Sequence, residues 1–456
     1  MPVEITLIPL SNATPIKLQT AQKVGEIEIT ETPSGRTLTL NLGTKTLTPE
    51  ILRQAGGHLA NWLLAHPDLE NVQIDLSPIQ EDATNLGGFL EGIHLGSFRF
   101  DRYKANTPSP KPITIQLTPA SDEVEATLTR ATLLSAAQNL AREWGHEPPN
   151  VINPLTLAER CQALANSLGL KCTVLDDQQL EALGAGAIVA VGKASQTPSR
   201  LIILEYSGEK PNEKPVVVIG KAITFDTGGY TIKTREGMVG MKYDKCGAMA
   251  VVGLMQAAAQ LKLPTPIVGI IAAAENMIAG NAYRPNDIIT TLSGQTVEII
   301  SADAEGRMVL ADALTYACRN FQPRVVIDLA TLTGGVGVAL GEVRAGLMSN
   351  NDALAEALFQ AGERTHERLW RLPLDEEYLD LIKGDDSDFK NSGGAKASAI
   401  LGGMFLKQFV SAEIPWAHID IASVAFPDKP GPYCPKGASG YGVRLLVAFI
   451  ETNSFP

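Results

Sequence analysis

The chain is poor in the residues from which the commonest enzyme centres are built. Its six histidines, His58, His66, His94, His146, His366 and His418, are spread over 456 residues with no HExxH or comparable pair, which excludes an ordinary histidine-based zinc motif. The five cysteines, Cys161, Cys172, Cys246, Cys318 and Cys434, are odd in number, scattered and without CxxC spacing. They read as reduced core thiols, neither staples nor zinc ligands, and favour a cytoplasmic setting. No run of about 18 uninterrupted apolar residues occurs, and no basic start leads into an apolar stretch, so neither a membrane span nor a secretion signal is expected. Basic residues are also in deficit: 38 Lys and Arg stand against 50 Asp and Glu, a formal charge of −12. Neutralising phosphates needs a basic face, so a general nucleic-acid binder is not expected.

What is present is enough apolar material, 45% of the residues, to bury a large core in two or more domains. The expected fold class is α/β, with a smaller N-terminal α/β domain and a larger C-terminal catalytic domain built on a mostly parallel, helix-covered central sheet. Residues 1–120 carry strand candidates at 5–10, 25–30, 37–42, 72–76 and 113–117, with helices at 49–66 and 83–97. This part has nine basic and twelve acidic residues and no cluster that suggests chemistry, which leaves it an oligomerisation or regulatory role. The Pro- and Ser-rich residues 105–111 read as an exposed loop, and residues 121–144 as a connecting helix. From 145 to 456 short apolar runs alternate with helical patterns, as in a helix-covered sheet. Ligands collect beyond the carboxyl ends of such strands, so the polar loops after Ile219, Leu329 and Ile421 are the first places to look.

One of these loops is rich in chemistry. The stretch 220–244, GKAITFDTGGYTIKTREGMVGMKYD, follows an apolar strand run and sets Lys221, Asp226, Lys233 and Asp244 among glycines. The stretch 301–307, SADAEGR, adds Asp303 and Glu305 at the start of a helix. Carboxylates are the usual ligands of hard divalent ions, and two ions about 3.5–4 Å apart need bridging carboxylates to offset their repulsion. Each acid also has a plain reading, a turn residue or a helix-dipole partner, but their joint pattern points to a dinuclear site. A buried lysine beside such a site can lose its proton and ligate a cation, or keep its charge and stabilise an oxyanion. Spacing alone does not say which of Lys221 and Lys233 does which. Arg307, near a helix N-terminus, is a partner for carboxylates or a holder of an anion. The loop 331–335, TLTGG, either binds substrate through its backbone or is a plain connection.

These motifs resemble those of the leucyl (cytosol) aminopeptidases, a family of two-metal exopeptidases. GKAITFDTGGYTIK, MKYD and SADAEGRMVLADAL match in order and spacing, and LAREWGHEPPN, DLATLTGG, SDFKNSGG, WAHIDIAS and SGYGVRLLVAFIE extend the likeness over nearly all of residues 140–450. The resemblance implies a metal-dependent aminopeptidase that removes N-terminal, preferably apolar residues such as leucine, with a metal-bridging water as nucleophile. Lys221 and Asp244 would bind one ion, Asp226 and Glu305 would bridge to a second, and Asp303 would complete it. Lys233 would be the catalytic lysine, and Arg307 would hold a bicarbonate acting as general base. Met241, Thr331, Leu332, Gly334 and Ala422 would contact substrate. The ions would be Zn or Mn, with Co also suited, and the assembly a homohexamer acting on peptides in the cytoplasm. The chain departs from the family at Ser301, Ala302 and Met308, in place of Asn, Thr and Leu, and at Tyr230, where a small aliphatic residue is common and where a tyrosine could narrow the pocket or add a hydroxyl contact. Two other readings compete: a DNA-binding or structural member of the same family with secondary or lost catalysis, and, from carboxylate count alone, a two-metal phosphoesterase.

Overall fold

The structure, a computed structural model, describes residues 3–8, 12–20, 23–33, 35–105 and 112–452. The chain forms two compact units, one of Met1–Asn139 with Asp428–Lys436 and one of Leu140–Pro427 with Gly437–Pro456. In the first, strands β1 (Val3–Thr6), β2 (Thr14–Gln19), β3 (Ile27–Thr32), β4 (Gly35–Asn41), β5 (Asn71–Asp75) and β6 (Ile113–Thr118) form a sheet in the order β1-β6-β5-β2-β4-β3. All neighbours are parallel except β3 and β4. Alternate residues of the strands, such as Ile16 and Leu18, Leu38 and Leu40, and Val72 and Ile74, share one apolar cluster with Leu52 and Leu59 of α1 (Pro49–Leu64) and Phe89 and Leu90 of α2 (Ala83–Gly96). Thr48 and Asp82 cap the two helices by accepting from backbone N–H groups of their first turns, which supplies partners for orphan donors.

Strand β2 is not among those expected from the sequence; Pro15, which cannot donate to a ladder, is its second residue, and Ile16 and Leu18 keep the two-residue alternation. The strand expected at 5–10 ends at Thr6, and residues 9 and 10 lie outside the described residues, as do 106–111 of the expected loop. Helix α3 (Asp122–His146) follows, and its residues from Leu140 onward belong to the second unit.

The second unit contains β7 (Lys171–Leu175), β8 (Arg200–Tyr206), β9 (Val216–Asp226), β10 (Ile267–Asn276), β11 (Ile288–Thr290), β12 (Thr296–Glu298), β13 (Val325–Ala330), β14 (Ala345–Ser349), β15 (Leu369–Arg371), β16 (Phe389–Lys390) and β17 (Trp416–Asp420). Its helices are α4 (Pro154–Leu168), α5 (Asp177–Leu183), α6 (Gly186–Gly192), α7 (Arg235–Met238), α8 (Cys246–Leu261), α9 (Glu305–Phe321), α10 (Gly334–Leu340), α11 (Asp352–Thr365), α12 (Ser398–Lys407) and α13 (Val443–Thr452). The main sheet has the order β15-β14-β17-β13-β9-β10-β8-β7, and β11, β12 and β16 form a small second sheet. The four central strands, β17, β13, β9 and β10, are parallel. Antiparallel pairing enters on both flanks, at β14 with β17 and at β8 with β10 and β7.

Val216–Ile219 of β9 are fully buried, as a central parallel strand covered on both faces requires; each such side chain contributes about 1.5–3 kcal/mol. Helix α8 comes against the sheet at Gly247, where an added Cβ would lie 2.2 Å from the Leu329 carbonyl oxygen. The consequence for function is geometric. The carboxyl ends of β9, β10, β13 and β17 fall on one edge, and they deliver Asp226, Asn276, Thr331 and Ala422 there. Among the described residues no helix is long and apolar enough to cross a membrane.

Candidate active site

All twelve residues singled out from the sequence line one cavity of about 410 Å³: Lys221, Asp226, Lys233, Met241, Asp244, Asp303, Glu305, Arg307, Thr331, Leu332, Gly334 and Ala422. Asp226 ends β9, and the turn that follows needs left-handed backbone at Gly228 and Gly229, with φ of +83° and +57°. In that turn the Gly228 N–H donates to Asp226 Oδ1 at 2.8 Å. Lys221 projects from the same strand, and its Nζ lies 2.9 Å from Asp244 Oδ1, 2.9 Å from Glu305 Oε1 and 2.9 Å from the Thr331 carbonyl oxygen. Asp244 follows a single 3-10 turn, Met241–Tyr243, and also accepts from Thr331 Oγ1 at 2.7 Å. Glu305 opens α9, with Arg307 one half-turn on. Lys233 reaches back so that its Nζ is 2.8 Å from Asp226 Oδ2 and 2.6 Å from Asp303 Oδ1.

The charges explain the geometry. Four carboxylates face two ammonium groups, a formal deficit of two positive charges in a site where Lys221, Asp226, Asp244 and Glu305 are all buried. Burial, reinforced by the neighbouring Asp226 carboxylate, pushes the Glu305 carboxyl well above its ordinary range, against the pull of Lys221. Asp244 is pushed up by burial as well, with Lys221 opposing. Burial disfavours the charge on Lys221, yet Asp244, Glu305 and Asp226 outweigh it and raise its pKa. The same balance, burial against Asp226 and Glu305, raises Lys233. Arg307 is lowered to about 10 by burial, so it keeps its charge at neutral pH.

This donor set fits divalent metal ions. Oxygens of Asp226, Asp244 and Glu305 lie within 4.8 Å of one another. Asp244 Oδ2 and Glu305 Oε2 are buried without a hydrogen-bond partner among the described residues, so each carboxylate keeps an oxygen for a cation. Hard oxygen donors with one amine suit Mn, Zn or Co. The two ammonium groups sit within ion-pair distance of these carboxylates, where a cation would contest them; a bound ion would invert the local preference for the protonated amine.

Several residues that hold this site together escaped the sequence reading. Asp420 accepts from the Leu332, Thr333 and Ala422 N–H groups and from Thr333 Oγ1, and so fixes the 331–334 loop. Asn391, fully buried, accepts from the Ile300 and Ser301 N–H groups and donates to the Ser301 carbonyl oxygen. Its own carbonyl oxygen accepts from Arg307 Nη1 at 2.8 Å, while Arg307 Nε has no hydrogen-bond partner among the described residues. Both lie inside motifs noted above, WAHIDIAS and SDFKNSGG, but amides and a strand-end aspartate carry no metal spacing that would single them out. Phe426 adds an aromatic wall, stacked on Tyr243 with centroids 5.4 Å apart. Tyr230 is exposed and not among the cavity-lining residues, so it does not narrow the cavity, while its hydroxyl makes a contact by donating to the Ala279 carbonyl oxygen at 3.1 Å.

Residues 139–447 match the catalytic domain of the cytosol aminopeptidase family. A probable cytosol aminopeptidase of Geobacter sulfurreducens is 43% identical over 427 residues, which cover 92% of this chain and 86% of that protein. One of Chelativorans sp. is 46% identical over 378 residues, covering 82% and 75%. Among solved structures, the bottromycin maturation enzyme BotP in complex with Mn superposes with a TM-score of 0.89 at 30% identity, over 97% of this chain and 100% of that one. The family model spans the stretch that carries every residue of the cavity, and the chain belongs to the cytosol aminopeptidase family, whose members are metal-dependent peptide hydrolases.

Proposed function

We propose that the chain is a cytoplasmic leucyl-type aminopeptidase that uses two divalent ions to hydrolyse the first peptide bond of peptides with an apolar N-terminal residue, and that it works as a homohexamer. The observation that carries the reading is the pair of buried, unpartnered carboxylate oxygens on Asp244 and Glu305 beside Asp226. Lys221 and Asp244 would hold one ion, Asp303 the other, and Asp226 and Glu305 both. When bound, the ions supply polarisation of the scissile carbonyl, activation of water and a coordination position for the free α-amine.

The remaining work falls to this chain's own groups. Lys233 is the less buried of the two lysines and lines the cavity; with its charge held by Asp226 and Asp303, its Nζ donates to the oxygen that becomes negative as the carbonyl is attacked. Arg307 keeps its charge and a free Nε, which suits it to hold a small anion; a bicarbonate there would accept the proton of the attacking water. Met241, Leu332 and Ala422 give the cavity an apolar side for the first side chain, and the backbone of Thr331 and Gly334 offers polar groups to the peptide. The apolar contacts support a preference for leucine and similar residues. The acidic balance of the chain supports peptides over nucleic acid as partners.

The test is a substrate screen on chain reloaded with Mn, Zn or Co. Hydrolysis of leucyl-p-nitroanilide, with a kcat at least about 100-fold lower in Lys233→Ala at near-normal metal content, supports the reading. Hydrolysis of a phosphoester without hydrolysis of the nitroanilide, or full activity in Lys233→Ala, overturns it.

A further inference from the structure

Asp226 and the Ser301–Glu305 segment come from different parts of the chain, and besides the charged Lys233, which pairs with Asp226 and Asp303, a neutral side chain joins them directly. Asn276 is the last residue of β10 and is fully buried. A register shift between Ala274 and Asn276 brings it opposite Asp226 on the neighbouring strand. Its Nδ2 donates to Asp226 Oδ1 at 2.8 Å and to the Ala302 carbonyl oxygen at 3.0 Å. Both facing groups are acceptors, so only the NH₂ end of the amide can point at them. The backbone is fixed too: the Asn276 carbonyl oxygen accepts from Thr227 N and Thr227 Oγ1, at 3.0 and 2.9 Å. Tyr283 adds a second donor to the Ala302 carbonyl oxygen at 2.7 Å. Gly229 closes over the amide, since an added Cβ there would lie 3.1 Å from Asn276 Oδ1.

We propose that Asn276 is a positioning residue that sets the separation between the Asp226 carboxylate and the turn carrying Asp303 and Glu305, and thereby the spacing of two bound ions. It takes no part in the chemistry itself. By holding Asp226 Oδ1, it leaves Oδ2 as the oxygen presented to the cavity, and by holding Ala302 it fixes the height of the residue before Asp303. This rests on the two-ion reading given above. Partners behind a ligand carry much of a metal site's affinity, with about 10–100-fold lost on their removal.

The test uses Mn²⁺ as the probe on metal-stripped full-length chain, for wild type, Asn276→Leu, Asn276→Ser and the control Asn281→Ala, which removes only an exposed amide in the loop after β10 that donates to the Lys193 carbonyl oxygen. Leu keeps the branching at Cγ and removes both donors; Ser is the smaller second variant should Leu fold poorly. Calorimetric titration, electron paramagnetic resonance of the loaded protein and thermal melting are read together. Expected are an exchange-coupled pair of ions in wild type and Asn281→Ala, and in both Asn276 variants a second ion bound at least about 10-fold more weakly with the coupled signal lost at matched loading. Wild-type affinities and an unchanged coupled spectrum in the variants, with or without a lower melting temperature, overturn the proposal and leave the two-ion reading standing. A wild type that shows no coupled pair overturns both.

Discussion

Gly306 stands between the two halves of the site, and adding one methyl group there tests how tightly the site is built. It is the second residue of α9, and a Cβ at this position would lie 2.6 Å from Lys221 Nζ, 2.6 Å from Cε and 2.8 Å from Cδ. Considered as helix alone, Gly306→Ala stabilises by about 0.5–1 kcal/mol. The end of a lysine usually yields to such a clash, but this one is buried and held by Asp244, Glu305 and the Thr331 carbonyl oxygen, each at 2.9 Å. Restoring an ordinary contact of about 3.4 Å requires a shift of roughly 0.8 Å, which breaks at least one of the three. Breaking a buried charge pair costs about 3–5 kcal/mol, so the net effect is destabilisation by about 2–4 kcal/mol. Misplacing a group at a reacting centre by about 1 Å costs on the order of 100-fold in rate. Gly306→Ala is therefore expected to melt several degrees lower, to bind Mn²⁺ at least about 10-fold more weakly and to lose most of its leucyl-p-nitroanilide activity. A variant that melts higher than wild type, with unchanged metal affinity and activity, would show that Lys221 is not held as described and refute the reasoning.

Two further predictions concern the scaffold. Asp312 on α9 is buried and accepts from the Ala187, Ile188 and Leu292 N–H groups at 2.9, 2.9 and 2.7 Å. Burial, against these three donors, raises its pKa to about 7; a carboxyl raised above its unfolded value gives stability that is full at low pH and is lost as pH rises through about 7. Denaturant melts should show that decline between about pH 5 and 7 in wild type and not in Asp312→Asn, which should be about 1–3 kcal/mol less stable at pH 5 because one N–H group loses its acceptor; identical pH profiles would contradict this. Ala397, before the first residue of α12, has φ of 53° and ψ of 26°, so Ala397→Gly should raise stability by about 0.5–1 kcal/mol, and a lower midpoint in urea would contradict it.

The chemistry of the site was more legible in the sequence than its support. Asp226, Lys233 and Asp244 declare themselves because charge in a Gly-rich loop after an apolar run is unusual, and Asp303 and Glu305 because they open a helix. Asn276 and Asn391 do not: a neutral amide is common in loops, and only the fold shows that each spans two segments. The apolar runs of β13 and β17 likewise hide Asp328, which takes the Trp416 Nε1 donor at 2.8 Å and pairs with His418 at 2.5 Å inside the sheet. A hydrophobic pattern marks such strands as buried without saying that an aspartate–histidine pair is buried with them. The parallel centre of the sheet follows from strand, loop and helix in alternation, whereas the antiparallel flanks depend on contacts between residues far apart in sequence, such as Ile271 with Ile202.

The central claim is that the cluster of Asp226, Asp244, Asp303, Glu305 and Lys221 binds two divalent ions on which peptide hydrolysis depends. Titrating metal-stripped chain with Mn²⁺ while following leucyl-p-nitroanilide hydrolysis tests it most directly. The account predicts no activity in the stripped protein and full activity once two ions per chain are bound, with Asp244→Ala failing to reach that stoichiometry. Activity that survives complete removal of metal, or that saturates with Asp244→Ala loading both ions as wild type does, would contradict it.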